Sequence, residues 1–329
     1  MVKIALIGLG RIGQVHARAI SRTPGAQLVA VVEANASVAA ETAAAFGAEV
    51  RDLDAVLAAT DVEAAIICTP TDTHADLIER FTQAGKAVFC EKPVDLSLQR
   101  VEACLASVEA AAGALMIGFN RRFDPHFAAL KAAIDAGEIG AVEQITLTSR
   151  DPGLPPAEYI KVSGGIFRDM TIHDFDMARH LLGEEVASVY ATASALADPA
   201  VRDLKDYDTA TVVLTTHSGK QATILNSRRA TYGYDQRIEV HGSLGMVQAE
   251  NQRPADIVIA RGDGFTKPPL HDFFMTRYTA AYEAEIQAFV ATLNTPGADL
   301  SPSGQDGLAA LQLAEAAVKS VETGQVVAL

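Results

Sequence analysis

Two spacings of apolar residues divide the chain. Up to residue 118, short continuous apolar runs at 2–7, 27–32, 64–68, 86–90 and 115–118 alternate with stretches at 14–21, 36–46, 53–58, 75–83 and 98–112. In the second set, apolar positions recur every three or four residues. A short unbroken run between turn formers fits a strand buried on both faces, and the 3.6 period fits an amphipathic helix. Strict alternation with short connections predicts a parallel, doubly wound Rossmann sheet that binds its ligand at the strand C-termini. A helical pattern at 126–136 follows, and then the period drops to two at 143–149, 188–197, 209–216, 220–226, 236–241, 245–249 and 256–260. Runs of such strands predict a separate α+β domain with a large, mainly antiparallel open sheet. Helical patterns at 165–182, between the first two of these strands, and at 280–294 and 305–324 complete the set. The expected division is a doubly wound, ligand-binding domain at 1–120 and a sheet-forming α+β domain at 121–329.

Length and charge narrow the partners. With 329 residues, 49% of them apolar, the chain has material for two cores. Its 41 acids against 27 lysines and arginines give a net charge of -14, which opposes nucleic acid and anionic membrane surfaces. No apolar run approaches the roughly 18 residues of a spanning helix. Met1 leads at once into the strand-like run 2–7 and then into glycines, so neither a signal nor a transit peptide is expected. Cys68, Cys90 and Cys104 make no metal-ligand spacing, and their odd number suits a reducing, cytoplasmic setting.

The first chemistry lies in Gly8-Leu9-Gly10-Arg11-Ile12-Gly13, with a strand before it and a helix after it. Gly8 permits the tight turn, Gly10 lets backbone approach a pyrophosphate, and Gly13 lets helix pack on strand. Glu33 ends the second predicted strand. Its carboxylate suits ribose hydroxyls and repels a 2′-phosphate, so NAD is expected over NADP, with Arg11 as the one nearby cation. Thr69-Pro70 and Glu91-Lys92-Pro93 fall at later strand C-termini, where a ligand is expected. Pro93 holds the backbone of Lys92 extended and aims the lysine toward the cleft.

On the predicted helix 165–182, Asp169, His173, Asp176 and His180 stand at i, i+4, i+7 and i+11, along one face. Acid and base alternating on one face need a partner: a metal, a buried ion-pair network with Arg168 and Arg179, or a substrate undergoing proton transfer. The ion-pair network weighs most on Asp174, Asp176 and His180. No cysteine or distant histidine motif completes a ligand set, so no metal is expected. His16, His126, His217, His241 and His271 are assigned no chemistry.

Together with His16, Thr71-Asp72-Thr73-His74, Gly118-Phe119-Asn120-Arg121-Arg122-Phe123-Asp124 and Gly164-Gly165, these motifs resemble the glucose-fructose oxidoreductase, inositol dehydrogenase and rhizopine-catabolism family across nearly the whole chain. The resemblance implies NAD, a catalytic set of Lys92, Asp169 and His173, and a homotetramer packed through the C-terminal sheet. Ser149-Arg150-Asp151-Pro152, Pro155-Pro156, Tyr159-Ile160 and Phe273-Phe274 are similar to the inositol-oxidising members, which implies oxidation of myo-inositol to 2-keto-myo-inositol. Another inositol isomer, a pyranose, or a non-catalytic NAD-binding regulator are the alternatives. Cofactor contacts are expected at Gly8, Gly10, Arg11, Ile12, Gly13 and Glu33, and at the strand ends Thr69, Pro70, Thr73, His74, Glu91 and Lys92. Substrate contacts are expected at Lys92, Asn120, Arg122, Asp151, Tyr159, Asp169, His173, Asp176, Tyr232 and Tyr234. In this scheme neutral His173 takes the hydroxyl proton, Asp169 orients the ring, and Lys92 donates to the same oxygen.

Overall fold

The computed structural model describes every residue, Met1–Leu329. The chain divides into two compact units. One is Met1–Asp124 with Thr279–Leu311, and the other is Pro125–Tyr278 with Gln312–Leu329.

The first unit opens with β1 (Val2–Ile7), α1 (Arg11–Arg22), β2 (Ala26–Val32), α2 (Ala36–Phe46), β3 (Glu49–Val50) and α3 (Leu53–Ala58). It continues through β4 (Ala64–Ile67), α4 (His74–Gln83), β5 (Ala87–Glu91), α5 (Leu98–Ala110) and β6 (Leu115–Gly118). All six strands are parallel, in the order β3-β2-β1-β4-β5-β6. Strands β4 and β6 and most of β1 and β5 are buried, as their unbroken apolar runs require. The order reverses beside β1, so a crevice opens past Ile7 and Ile67, where Rossmann sheets hold their ligands.

The second unit begins with α6 (Pro125–Asp135), β7 (Val142–Arg150), α7 (Ala157–Ile160), α8 (Ile172–Leu182), β8 (Val186–Ser194) and α9 (Pro199–Asp203). Then come β9 (Thr209–Thr216), β10 (Gln221–Ser227), β11 (Asp235–Gly242), β12 (Gly245–Ala249), β13 (Ile259–Arg261), β14 (Gly264–Thr266) and α10 (Phe274–Arg277). The chain ends in α11 (Thr279–Leu293), α12 (Gly304–Thr323) and β15 (Val327–Ala328). The large sheet runs β12-β11-β7-β10-β9-β8-β15, with β7 and β10 as its parallel pair. Burial alternates along β9, β10 and β11, which matches the period-two pattern.

Three expectations change. The strand expected at 256–260 is the short Ile259–Arg261, and it pairs with β14 in a separate ribbon instead of joining the large sheet. The residues 279–311 belong with the Rossmann unit, whereas one boundary at 120/121 assigned them to the other domain. Helix α11 packs on α1, and apolar Tyr282, Ile286, Phe289 and Val290 are buried. The helix expected at 165–182 is not uniform. Phe167–Thr171 is wound as a π-helix, and regular α-helix begins at Ile172.

Candidate active site

In the Rossmann unit the turn between β1 and α1 is set by its glycines. Gly8 has φ of +88°, and a Cβ on it would stand 2.9 Å from the Cys68 carbonyl and the Thr69 amide. A Cβ on Gly13 would lie 2.1 Å from the Gly8 oxygen, so the first turn of the helix presses on the loop itself. Gly10 differs: a Cβ there would meet nothing within 4 Å, and no side chain caps the helix it precedes. Open space beside an uncapped helix N-terminus fits a pyrophosphate. Glu33, just past β2, accepts from the Leu9 amide at 2.7 Å and from the Asn35 amide at 3.0 Å. The Asn35 amide, against partial burial and helped by the Leu9 and Ala34 amides, holds its carboxyl below the ordinary 4.5. The carboxylate is thereby ionised, aimed and left with lone pairs for ribose hydroxyls. Arg11, the first residue of α1, is exposed.

The next two strand ends are tied to each other. The Thr73 hydroxyl donates to the Pro70 carbonyl at 2.8 Å, so its 2.6 Å contact with Thr69 Oγ1 has Thr69 as donor. His74 is 2% exposed, with Nδ1 2.8 Å from the Pro93 carbonyl and Nε2 2.8 Å from the Thr69 carbonyl. One imidazole therefore spans the turn after β4 and the turn that carries Lys92. Lys92 itself is half-buried and joined to Pro93 by a cis peptide. Glu91 points the other way, into the core. There its Oε1 meets His16 Nε2 at 2.7 Å, so His16, assigned no chemistry from sequence, is the buried partner of a motif residue. Asn120, just after β6, is 3% exposed, and its amide nitrogen has no partner within the protein, as a ligand-facing donor would. Arg122 pairs with Asp306 at 2.9 Å. Burial opposes ionisation of Asp306, yet the Arg122 charge and the Ser303 amide keep its carboxyl at about 2.

In the second unit, Gly165 takes φ of +83° and the Ile166 amide donates to Asp206 Oδ1 at 2.9 Å, which starts the helix. The π-wound Phe167–Thr171 then carries Asp169, one turn before His173. Asp169 is held on both oxygens. The Tyr159 hydroxyl donates to Oδ1 at 2.8 Å, and Arg228 Nη2 donates to Oδ2 at 3.2 Å. Arg228 is 1% exposed and also lies 4.0 Å from Asp206. Sequence reading named Tyr159 and missed Arg228, which carries no motif and sits just after β10, far along the chain. His173 is half-buried, while Asp174 and Asp176 are buried.

Arg168 and Arg179 each have a glutamate partner. Arg168 pairs with Glu315 at 2.5 Å and Arg179 with Glu185 at 2.5 Å. Asp174 accepts from Ser149 at 2.5 Å and from Asn226 at 2.8 Å, so it locks the helix to β7 and β10. Tyr232 donates to Asp235 at 2.6 Å and accepts from Arg150 at 2.9 Å on a 500 Å³ cleft over β7, β11 and β12. Tyr234 is buried against Phe273 and Tyr278, with ring centroids at 5.7 and 6.0 Å. The Asp151 backbone pairs with Ser227 and Ala230, which anchors the loop leading to Tyr159.

The chain is similar to known proteins along its whole length. The chain is 65% identical over 320 residues to an inositol 2-dehydrogenase of Rhizobium meliloti, covering 97% of each. Among solved structures, a myo-inositol dehydrogenase from Corynebacterium glutamicum superposes with a TM-score of 0.96 at 42% identity, covering 100% of this chain and 99% of that one. A scyllo-inositol dehydrogenase from Lactobacillus casei, with bound NAD(H) and scyllo-inositol, gives 0.92 at 28% identity, covering 100% and 99%. Residues 2–119 match the oxidoreductase family with an NAD-binding Rossmann fold, and residues 127–248 match the GFO/IDH/MocA C-terminal domain. The chain belongs to the GFO/IDH/MocA oxidoreductase family.

Proposed function

We propose that this protein is an NAD-dependent inositol 2-dehydrogenase that oxidises myo-inositol to 2-keto-myo-inositol. The observation that carries the reading is the Asp169 carboxylate, fixed by Tyr159 and the buried Arg228 one turn ahead of His173. An acid clamped in this way orients a neighbouring imidazole and stabilises it once protonated. The identity of 65% to an inositol 2-dehydrogenase supports the substrate class. NAD, when bound, supplies the hydride acceptor; Gly8, Gly10 and Gly13 would take its pyrophosphate and Glu33 its adenosine ribose.

Proton handling falls to the protein. His173 takes the proton of the reacting hydroxyl. Asp169 holds the ring in place, and the Lys92 ammonium donates to the same oxygen as charge develops on it. Asn120, with its unpartnered buried amide, is a further substrate or cofactor donor. NADH absorbance with myo-inositol, scyllo-inositol and glucose tests the reading: myo-inositol is expected to give the highest kcat/KM, and silence with every polyol refutes it. Lys92→Ala and His173→Ala are each expected to lower kcat by about 10² or more with folding intact. Near-normal turnover in either variant removes its assigned role.

The same reading includes assembly into a homotetramer through the C-terminal sheet. Supporting it, Tyr190 of β8 and Met246 of β12 stand 40 and 47% exposed on that sheet, and exposed apolar side chains there favour a covering copy. A solution mass near four times the 34.7 kDa of one chain is expected, and a monomer at micromolar concentration contradicts it. A cytoplasmic setting is supported by three buried, unpaired cysteines. No helix is long and apolar enough to cross a membrane. Cell fractionation tests the location.

A further inference from the structure

Behind the Lys92 turn lies a cluster that the proposed chemistry does not use. Glu285 of α11 is 0% exposed, and neither of its carboxyl oxygens has a hydrogen-bond partner. It sits with His16 and Glu91 so that one ligand-type atom from each lies within 4.8 Å of the others. His16 is also 0% exposed, and its ring packs edge-on against Phe89 at 5.2 Å and Tyr282 at 5.6 Å. Room for the Glu91 carboxyl comes from Gly118, where a Cβ would stand 3.3 Å from Oε2.

Charge balance constrains this cluster. His16 is the one base bonded to Glu91, and two ionised carboxylates beside it would leave a net negative charge in a region closed to water. An unpaired buried carboxylate costs far more than a neutral carboxylic acid. His16 from α1 and Glu91 from β5 sit with Glu285, Cys68 after β4 lies near enough to feel its charge, and the buried turn at 120–123, which carries Arg121, packs on α11. Arg121 donates to neither Glu285 oxygen. Glu283 pairs outward with Arg22 at 2.6 Å.

We propose that Glu285 is carried as a neutral carboxylic acid whose polar head packs beside the His16–Glu91 pair without displacing it and so keeps Lys92 in position, making Glu285 a positioning residue for the alcohol oxidation. Glu91 is the last residue of β5, and Lys92 is the next in the chain. An anchored Glu91 side chain sets where the strand stops and where the lysine leaves it. Burial, and then the negative Glu91, push the Glu285 carboxyl well above the usual carboxylate range, in keeping with a retained proton. The positioning role rests on the dehydrogenase reading above, whereas the protonation state does not.

The test uses the full chain with Glu285→Gln, which mimics the neutral acid, and Glu285→Leu, which keeps volume and removes the polar group. A carboxyl whose proton is retained on folding costs nothing below the ordinary value of 4.5 and progressively more as pH rises above it. Glu285→Gln is therefore expected to gain stability over the parent with rising pH, by about tenfold in the unfolding equilibrium constant per pH unit. Its kcat should stay within about threefold of the parent. Glu285→Leu should fold, keep its KM for NAD within about threefold and lose about tenfold or more in kcat, the scale of a displaced catalytic group.

Equal impairment of both variants, unimpaired turnover in both, or a stability gap that ignores pH overturns the proposal. So does a rise in Tm with Zn²⁺ or Mn²⁺ that Glu285→Gln abolishes, since that marks the cluster as a cation site. Stability is read without turnover, so failure of the dehydrogenase reading is distinguishable from failure of this one.

Discussion

Gly10 and Gly13 stand three residues apart in one turn and are expected to fail in opposite ways when a methyl group is added. A Cβ at Gly13 would sit 2.1 Å from the Gly8 oxygen, against the 3.0 Å below which real contacts essentially never fall. Closing that gap means moving α1 away from the loop by about 0.9 Å, because the obstructing atom is backbone and cannot rotate aside. Overpacking of this kind costs about 1–3 kcal/mol, which corresponds to roughly 3–10 °C in Tm for a unit of this size. The same shift displaces the helix N-terminus from an anion, and a misplacement of about 1 Å is worth about 10² in rate or affinity. Gly13→Ala should thus lower Tm in the absence of ligand and also weaken NAD binding.

Gly10→Ala meets nothing within 4 Å and needs no unusual backbone, so the ligand-free Tm should move by less than about 2 °C. Its methyl group occupies the space assigned to the pyrophosphate, and the Kd for NAD should rise at least about tenfold. Thermal unfolding with and without NAD, together with titration calorimetry, separates the two. An unchanged ligand-free Tm in Gly13→Ala, or an unchanged Kd in Gly10→Ala, refutes this account of the turn.

Glu33→Ala should lose about tenfold in kcat/KM for NAD, the loss of charge-assisted hydrogen bonds to the ribose, and lose much less for NADP; an unchanged cofactor ratio disproves the role of Glu33. Tyr159→Phe removes one bond to Asp169 from a tyrosine that is 41% exposed, and about tenfold in kcat is expected, with Tm nearly unchanged. A parent-like kcat there refutes a role for the Tyr159 bond in aiming the carboxylate. Because the Asp306 carboxyl is held at about 2, below its ordinary 3.8, its contribution is complete above 3.8 and fades as pH falls toward 2. Asp306→Asn should accordingly cost about 2 kcal/mol of stability at neutral pH and almost nothing near pH 2, measured by denaturant unfolding.

What could be read from sequence was whatever local pattern determines. The Rossmann half announces itself because strands buried on both faces must be unbroken apolar runs, and because Gly8, Gly13 and Glu33 each answer a nearby steric or charge demand. The large sheet is visible through its period of two. The π-wound turn at Phe167–Thr171 escapes because it differs from an α-helix by one residue per turn in hydrogen bonding, and side-chain spacing barely registers that. Arg228 escapes for a different reason: it meets Asp169 only through the folding of β10 against the helix. Nor does composition hint that α11 returns to the first unit, since an apolar helix face does not name its partner. His16 and Glu285 were invisible as a pair on the same grounds.

That return has a consequence for synthesis. During translation the first 124 residues emerge as a sheet whose α1 still lacks α11, and His16 and Phe89 lack the ring contacts that Tyr282 and Phe289 supply. Residues Pro125–Tyr278 of the second unit must be made in between before the first can close. The Rossmann half thus begins to leave the ribosome before the second unit yet stays unfinished until residues near 311 appear, and until then it presents an uncovered apolar flank to whatever else is in the cell.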